Sequence, residues 1–114
     1  MFVLDTNILS AMRFDPDILR SNEVCTTAIN IWEIERGAAL RLTAADLRSF
    51  ATFVCENIPV VPFDDEAARY FAGLKRGLNA DAMIASIAVT QDMTLVTRNV
   101  TDFTKFRQLR VEKW

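Results

Sequence analysis

The stretch that decides the fold is Met1-Phe2-Val3-Leu4-Asp5-Thr6-Asn7-Ile8-Leu9. Four apolar residues, including β-branched Val3, run directly into an acid, a hydroxyl residue and an amide. An unbroken apolar run of this kind suits a strand covered on both faces, as in the middle of a parallel sheet. Thr6 and Asn7 then offer N-cap chemistry for a helix beginning near Ile8 and running to Arg13. On this reading Asp5 stands at the carboxyl end of a central strand, where open α/β sheets hold their ligands. The plainer alternative makes Asp5 an ordinary member of a strand-to-helix turn.

Outward from that stretch, strands and helices alternate. Asp15-Pro16-Asp17 starts a second helical piece through Arg20, and Glu23–Thr27 is a β-branched second strand. A helix is expected from Ile29 to Leu40. On it Trp32-Glu33-Ile34-Glu35-Arg36-Gly37 sets an acid in an apolar segment. Glu33 and Glu35 lie on different faces, so one can point inward while the other meets water. Gly37, one turn beyond Glu33, leaves room beside its carboxylate at a propensity cost of about 1 kcal/mol. Thr43-Ala44-Ala45-Asp46 resembles a capping box, and Leu47, Phe50, Ala51, Val54, Cys55 and Ile58 then mark one broad buried face.

Pro59–Phe63 reads as a short buried strand. Asp64 caps the next helix, which buries Ala67, Phe71 and Leu74 and ends at Gly77. The pair Asp64-Asp65 answers the helix dipole rather than forming a metal site. Asn79 caps a very apolar helix whose first turn carries Asp81, on the same face as Ile84 and Ala88. An acid on a buried face needs a partner. A cation shared with Asp5 would serve, and a simple helix-dipole role is the alternative. Thr94–Thr97 is another buried strand, followed by the polar run Arg98-Asn99-Val100-Thr101-Asp102, and Leu109-Arg110-Val111 is a last edge strand. The pattern predicts one α/β domain over 1–114, with a parallel sheet of four to five strands and helices on both faces.

Composition narrows the chemistry. No histidine occurs, which removes Ser-His-Asp and Cys-His catalysis and imidazole zinc sites. Hydrolytic chemistry must therefore rest on carboxylates, with hard metal ions as their natural companions. The net charge of −2 argues against a broadly basic nucleic-acid binder, although an acidic metal site would itself contribute negative charge. An acid at position 5 precludes a signal-peptide core, and the apolar run Met83–Val89 is too short to span a bilayer. A cytoplasmic protein is expected, with Cys25 and Cys55 as buried free thiols.

Five segments together resemble the PIN-domain ribonucleases, specifically VapC-type toxins of bacterial toxin–antitoxin pairs. They are Leu4-Asp5-Thr6-Asn7-Ile8-Leu9, Trp32-Glu33-Ile34 with Gly37, Pro62-Phe63-Asp64, Ala80-Asp81-Ala82-Met83-Ile84-Ala85 and Leu95-Val96-Thr97-Arg98-Asn99. They occur in the family's order and span nearly the whole chain, closing on Val111-Glu112-Lys113-Trp114. The resemblance implies a PIN-like three-layer fold and a Mg²⁺- or Mn²⁺-dependent endoribonuclease with Asp5, Glu33 and Asp81 as its acidic core. Asn99 occupies the family's variable fourth position, and Asp102 lies three residues on as the other candidate. Thr6, Asn7 and Thr97 resemble the polar residues that orient the acids.

The resemblance also implies an RNA substrate, often a transfer RNA among relatives, a cognate antitoxin and a homodimer. Phosphate contacts are expected from Arg36 and Arg98, with Arg41, Arg76 and Lys105 as further cations. Attack by activated water, rather than by the ribose 2′-OH, would leave 5′-phosphate and 3′-hydroxyl ends. The chain is shorter than typical members between Arg13 and Val24 and again around Gly77–Ala80. A shortened PIN domain that only binds RNA or protein is the alternative. Paired acids of a receiver domain and clustered glycines of a dinucleotide binder are both missing after the first strand.

Overall fold

The computed structural model describes residues 1–12, 17, 23–37, 43–75 and 78–114. Five strands run in the order of the chain: β1 (Phe2–Leu4), β2 (Val24–Thr27), β3 (Val60–Val61), β4 (Thr94–Val96) and β5 (Arg110–Glu112). All pair in parallel, in the spatial order β3-β2-β1-β4-β5. Parallel strands need crossover connections, and helices supply them. Those described are α1 (Thr6–Met12), α2 (Ala28–Arg36), α3 (Ala44–Asn57), α4 (Asp65–Ala72) and α5 (Ala80–Thr90), with a 3₁₀ turn at Val100–Phe103.

β1 is the middle strand, and its apolar run is unbroken because both of its faces are covered. Val3 pairs with Cys25 on one side and Leu95 on the other. Side chains alternate across the pleat. Leu4, Val24 and Val96 therefore meet Ile8, Leu9, Ile34, Phe50, Ala51 and Val54 from α1, α2 and α3. Val3, Cys25 and Leu95 meet Ala82, Ile84, Ala85 and Ala88 of α5, together with Phe103 and Phe106. Two cores thus sandwich one sheet. Val3 and Leu4 are wholly buried, each contributing about 1.5–3 kcal/mol. Phe2 at the strand's start packs edge-on against Trp114, ring centroids 5.2 Å apart.

Several expectations are corrected. α1 begins at Thr6, two residues before Ile8, because β1 passes into it through Asp5 alone. α2 ends at Arg36, short of Leu40. Gly37 terminates it. It adopts φ 74°, and its N–H reaches the Glu33 and Ile34 carbonyls at 3.0 Å each. Pro59–Phe63 shrinks to the two residues of β3, which lies at the sheet's edge with Val60 exposed. α4 stops at Ala72, ahead of Gly77, and β5 is shifted by one residue from Leu109–Val111.

Cys25 is buried as expected, and burial pushes its thiol up to about 11. Cys55 is exposed, since it falls just off the α3 stripe formed by Leu47, Phe50, Ala51 and Val54. The short helix expected at Asp15–Arg20 lies outside the described residues, Asp17 apart. So do Arg41, Arg76 and Gly77, and with them most of the two shortened regions. The N-caps at Thr43, Asp64 and Asn79 form, each side chain accepting from the third residue on, at 3.2, 2.9 and 3.0 Å; at Thr43 only this half of the expected capping box is present. Among the described residues no helix is long and apolar enough to cross a membrane.

The topology creates the place for a site. From β1 the chain winds to β2 and β3 on one side, then returns to β4 and β5 on the other. The carboxyl ends of β1 and β4 flank the point where winding reverses, and crevices form there in open α/β sheets.

Because an L-residue with a side chain is strained at φ 74°, Gly37→Ala should destabilise the fold by about 1–2 kcal/mol. A thermal melt should show the midpoint lowered by about 5–10 °C. An unchanged midpoint would mean that the end of α2 relaxes without cost.

Candidate active site

Asp5 is the single residue between β1 and α1, and its backbone is held from both sides. Its N–H donates to the Val96 carbonyl (2.9 Å), and its carbonyl accepts from Ile8 and Leu9 (3.0 Å each). Asp5 is 6 % exposed, and neutral donors fix the orientation of its carboxylate. Oδ1 accepts from the Thr6 N–H at 2.9 Å and the Asn30 amide at 3.0 Å, and Oδ2 accepts from the Thr97 hydroxyl at 2.8 Å. None of these donors carries a charge, so Asp5 is aimed but not neutralised.

Thr6 and Asn7, read from sequence as caps, bond sideways instead. The Thr6 hydroxyl donates to Glu33 Oε1 at 3.0 Å. Asn7 donates to the Thr97 hydroxyl at 3.3 Å and accepts the Arg98 N–H at 3.1 Å, tying α1 to the loop after β4. Thr97 is wholly buried and also accepts from the Asn99 N–H at 3.1 Å. Thr26 braces the next strand by donating to the Leu4 carbonyl at 2.9 Å.

The residue that sequence reading missed is Asn30. It is completely buried, and its amide nitrogen lies within reach of Asp5 Oδ1, the Thr6 hydroxyl (3.1 Å) and Glu33 Oε1 (3.5 Å). Its oxygen accepts from the Thr27 hydroxyl (2.7 Å) and N–H (3.3 Å). A backbone N–H can only donate, so that pairing fixes which end of the amide faces the carboxylates. Asn30 is also the N3 residue of a capping box with Thr27. The available signal was Thr27-Ala28-Ile29-Asn30 placed one turn before Glu33, on Glu33's face of the helix.

Glu33 is half-buried on α2, while Glu35 faces solvent. Burial raises the Glu33 pKa, the Thr6 hydrogen bond opposes this, and the charges of Asp5 and Asp81 raise it further. Asp81, in the first turn of α5, is raised by burial, then by Asp5 and by Asp102, with Lys105 pulling the other way. Glu33 and Asp81 thus both feel the charge of Asp5 around the switch point, and Asp81 also feels Asp102 on the 3₁₀ turn. Asn99 is exposed, and its side chain does not cap that turn. The ion pairs among the described residues are Arg69–Asp65 and Arg110–Asp92, well away from this cluster in sequence. Of the expected phosphate contacts, Arg36 stacks over Trp32 at 5.0 Å and Arg98 is exposed.

Carboxylates gathered with no ion pair among the described residues, amid hydroxyl and amide oxygens, are a donor set for a hard divalent ion. No three His, Cys, Asp or Glu side chains among the described residues are grouped tightly enough to share one ion. The arrangement fits Mg²⁺ or Mn²⁺ that keeps several waters and takes one or two carboxylates directly, not an ion caged wholly by protein.

Comparison with known proteins agrees with this architecture. A Rickettsia felis protein, Ribonuclease VapC2, is 25% identical over 131 aligned positions, covering 100% of this chain and 98% of that protein. Among solved structures, DNA-bound VapBC from Salmonella typhimurium superposes with a TM-score of 0.82 at 23% identity, covering 99% of this chain and 97% of that one. FitAcB from Neisseria gonorrhoeae gives 0.69 at 25% identity, covering 97% and 96%. The PIN-domain family model matches residues 2–109. With acids at the switch point of a five-stranded parallel sheet, and that match across nearly its whole length, this chain belongs to the PIN-domain family.

Proposed function

We propose that the protein is a divalent-metal-dependent endoribonuclease, the toxin of a toxin–antitoxin pair. The observation that carries this reading is the set of carboxylates drawn together at the switch point with no ion pair of their own among the described residues. The likeness to a protein named as a ribonuclease, and to toxin–antitoxin complexes, supports the substrate class and an antitoxin partner. A second copy of the chain is the other partner of this reading.

Asp5 and Asp81 would hold Mg²⁺ or Mn²⁺, with Glu33 and Asp102 at its margins. When bound, the ion supplies a Lewis acid that acidifies water and neutralises charge on the leaving oxygen. Thr6, Thr97 and Asn30 keep the Asp5 carboxylate in one orientation before substrate arrives. Glu33, its pKa raised by burial and by its acidic neighbours, is suited to take the proton of the attacking water. Water adds to phosphorus, the P–O3′ bond breaks, and the 3′ oxygen takes a proton from solvent. The products are a 5′-phosphate and a 3′-hydroxyl.

A second reading, binding without cleavage, finds support in the alignment. It runs over 131 positions against the chain's 114 residues, so this chain is the shorter. One experiment separates the two. Total RNA incubated with the protein, with and without Mg²⁺ or Mn²⁺, should acquire new 5′-phosphate ends only with metal. Asp5→Asn should reduce cleavage by at least about 100-fold, the scale of a lost electrostatic catalytic group. Retention of RNA with no new ends in any metal would favour the second reading.

Asn30→Ala removes the amide shared by Asp5, Thr6 and Glu33. It should cost about 1–3 kcal/mol of stability, the penalty for stranding buried polar groups. It should lower kcat more than it raises KM. Equal activity in this variant would show that the amide is only a helix cap.

The raised carboxyls set the pH dependence. A folded-state pKa above the unfolded value means that the native state binds more protons, so stability falls as pH rises through that window. For Glu33 and Asp81 the window opens at their ordinary values, 4.5 and 3.8, and extends upward. At pH 7 in chelator, Asp81→Asn should therefore melt about 2–5 °C above the wild type. The difference should vanish below about pH 3, where both states are protonated. Added Mg²⁺ should stabilise the wild type more than the variant, by mass action. A variant that melts lower in chelator and responds equally to metal would leave Asp81 an ordinary helix-start acid.

A further inference from the structure

Beyond the acidic cluster, the chain after β4 is pinned by two aromatic rings. Phe103 and Phe106 are buried in the α5-side core with ring centroids 6.3 Å apart. The Phe106 N–H bonds the Phe103 carbonyl at 3.2 Å, and the Leu109 N–H bonds the Phe106 carbonyl at 3.0 Å. Anchored at Phe106, the segment leaves its neighbours Lys105 and Arg107 exposed. Opposite them, just past the end of α4, stand partly buried Leu74 and exposed Lys75. Between these elements is a cavity of about 660 Å³ lined by Leu74, Lys75, Lys105, Phe106 and Arg107.

The charge here runs against the rest of the molecule. The chain carries a net charge of −2, yet among the described residues this cavity has two lysines and an arginine on its wall and no acid. None of those cations forms an ion pair among the described residues. Lys105 lies over the Phe106 ring at 5.4 Å and follows Asp102 by three residues, so the cavity adjoins the acidic cluster. A polyanion approaching several carboxylates meets repulsion, and a flanking cationic wall offsets it. Partly buried Leu74 adds an apolar contact against which a ribose can pack, and Phe106, itself buried, fixes the segment that carries the cations.

We infer that this cavity is a subsite for the phosphodiester backbone of an RNA strand, gripping phosphates beside the scissile bond. Lys105 serves the end nearest the acids, and Lys75 and Arg107 the outer end. The inference rests on the ribonuclease reading above and adds a substrate-binding surface that Arg36 and Arg98 do not provide.

The test uses the full chain and two substrates, a labelled single-stranded oligoribonucleotide and a dinucleotide too short to reach the cavity. In chelator, the slope of log affinity against log salt for the oligoribonucleotide should flatten by about 2 in Lys75→Gln/Lys105→Gln/Arg107→Gln, at about 0.7 per lost phosphate contact. With metal, Lys75→Gln/Arg107→Gln should raise KM for the oligoribonucleotide about tenfold and leave kcat and dinucleotide cleavage unchanged. Melting curves confirm that the exposed substitutions leave the fold intact. A control with the same loss of charge elsewhere, Arg48→Gln/Arg69→Gln, should change neither KM nor slope. Equal losses in the control would reduce the effect to net charge and overturn the subsite. So would an unchanged triple variant, or one that loses affinity only for an acidic peptide. Wild-type protein that neither binds nor cleaves RNA would bring down the ribonuclease reading itself. Cleavage that is indifferent to these substitutions would bring down the subsite alone.

Discussion

The constraint on which this structure depends is that a nearly buried carboxylate must be aimed without a cation beside it among the described residues. Among the described residues Asp5 meets it with neutral donors, from Thr6, Asn30 and Thr97. A lysine or arginine in their place would stabilise the apo fold more strongly but would consume the charge that a metal ion needs. Hydroxyls and amides orient the oxygens and leave the net charge standing. The raised pKa values of Glu33 and Asp81 follow from the same choice. The fold holds like charges near one another, so part of its stability awaits a cation.

That arrangement needs rigid supports, and the sheet supplies them. The strand carrying Asp5 is central, its residues Val3 and Leu4 wholly buried between two cores. Each donor arrives from a different element: Thr6 from α1, Asn30 from α2 and Thr97 from the end of β4. Because β1 and β4 are neighbours across the reversal of winding, Asp5 and Thr97 meet although they are far apart in sequence. Asn7 closes the same junction by bonding both Thr97 and the Arg98 backbone. The site is thus a property of strand order as much as of side-chain identity.

Charge is divided by location. The acids occupy the crevice, and a basic wall formed by Lys75, Lys105 and Arg107 lies beside it. A chain with a net charge of −2 can therefore present a local positive surface to a polyanion while keeping an acidic centre for metal. Lys105 belongs to both regions, since its charge also reaches Asp81.

Much of this was legible before folding. The run Phe2-Val3-Leu4 announced a strand covered on both faces because no polar residue interrupts it. Strand–helix alternation announced the parallel sheet, and the caps at Thr43, Asp64 and Asn79 were read correctly because capping is local chemistry. The absence of histidine, with Asp5 at a strand end, Glu33 within an apolar helix and Asp81 in a first turn, pointed to carboxylate chemistry. Other features depended on three-dimensional context. Thr6 and Asn7 looked like caps, yet Thr6 turned to Glu33 and Asn7 to Thr97, since a nearby acid and a buried hydroxyl from other elements were better partners. Gly37 looked like space for a carboxylate, while its backbone angle shows a helix stop. Asn30 drew no notice because its importance lies in what two other elements bring to it. Lys105 was read as a phosphate-contacting cation, but its grouping with Lys75 and Arg107 was not legible, since Lys75 is far from both in sequence. Local hydrogen bonding and hydrophobic period are written along the chain; contacts between distant side chains exist only once strand order has placed them together.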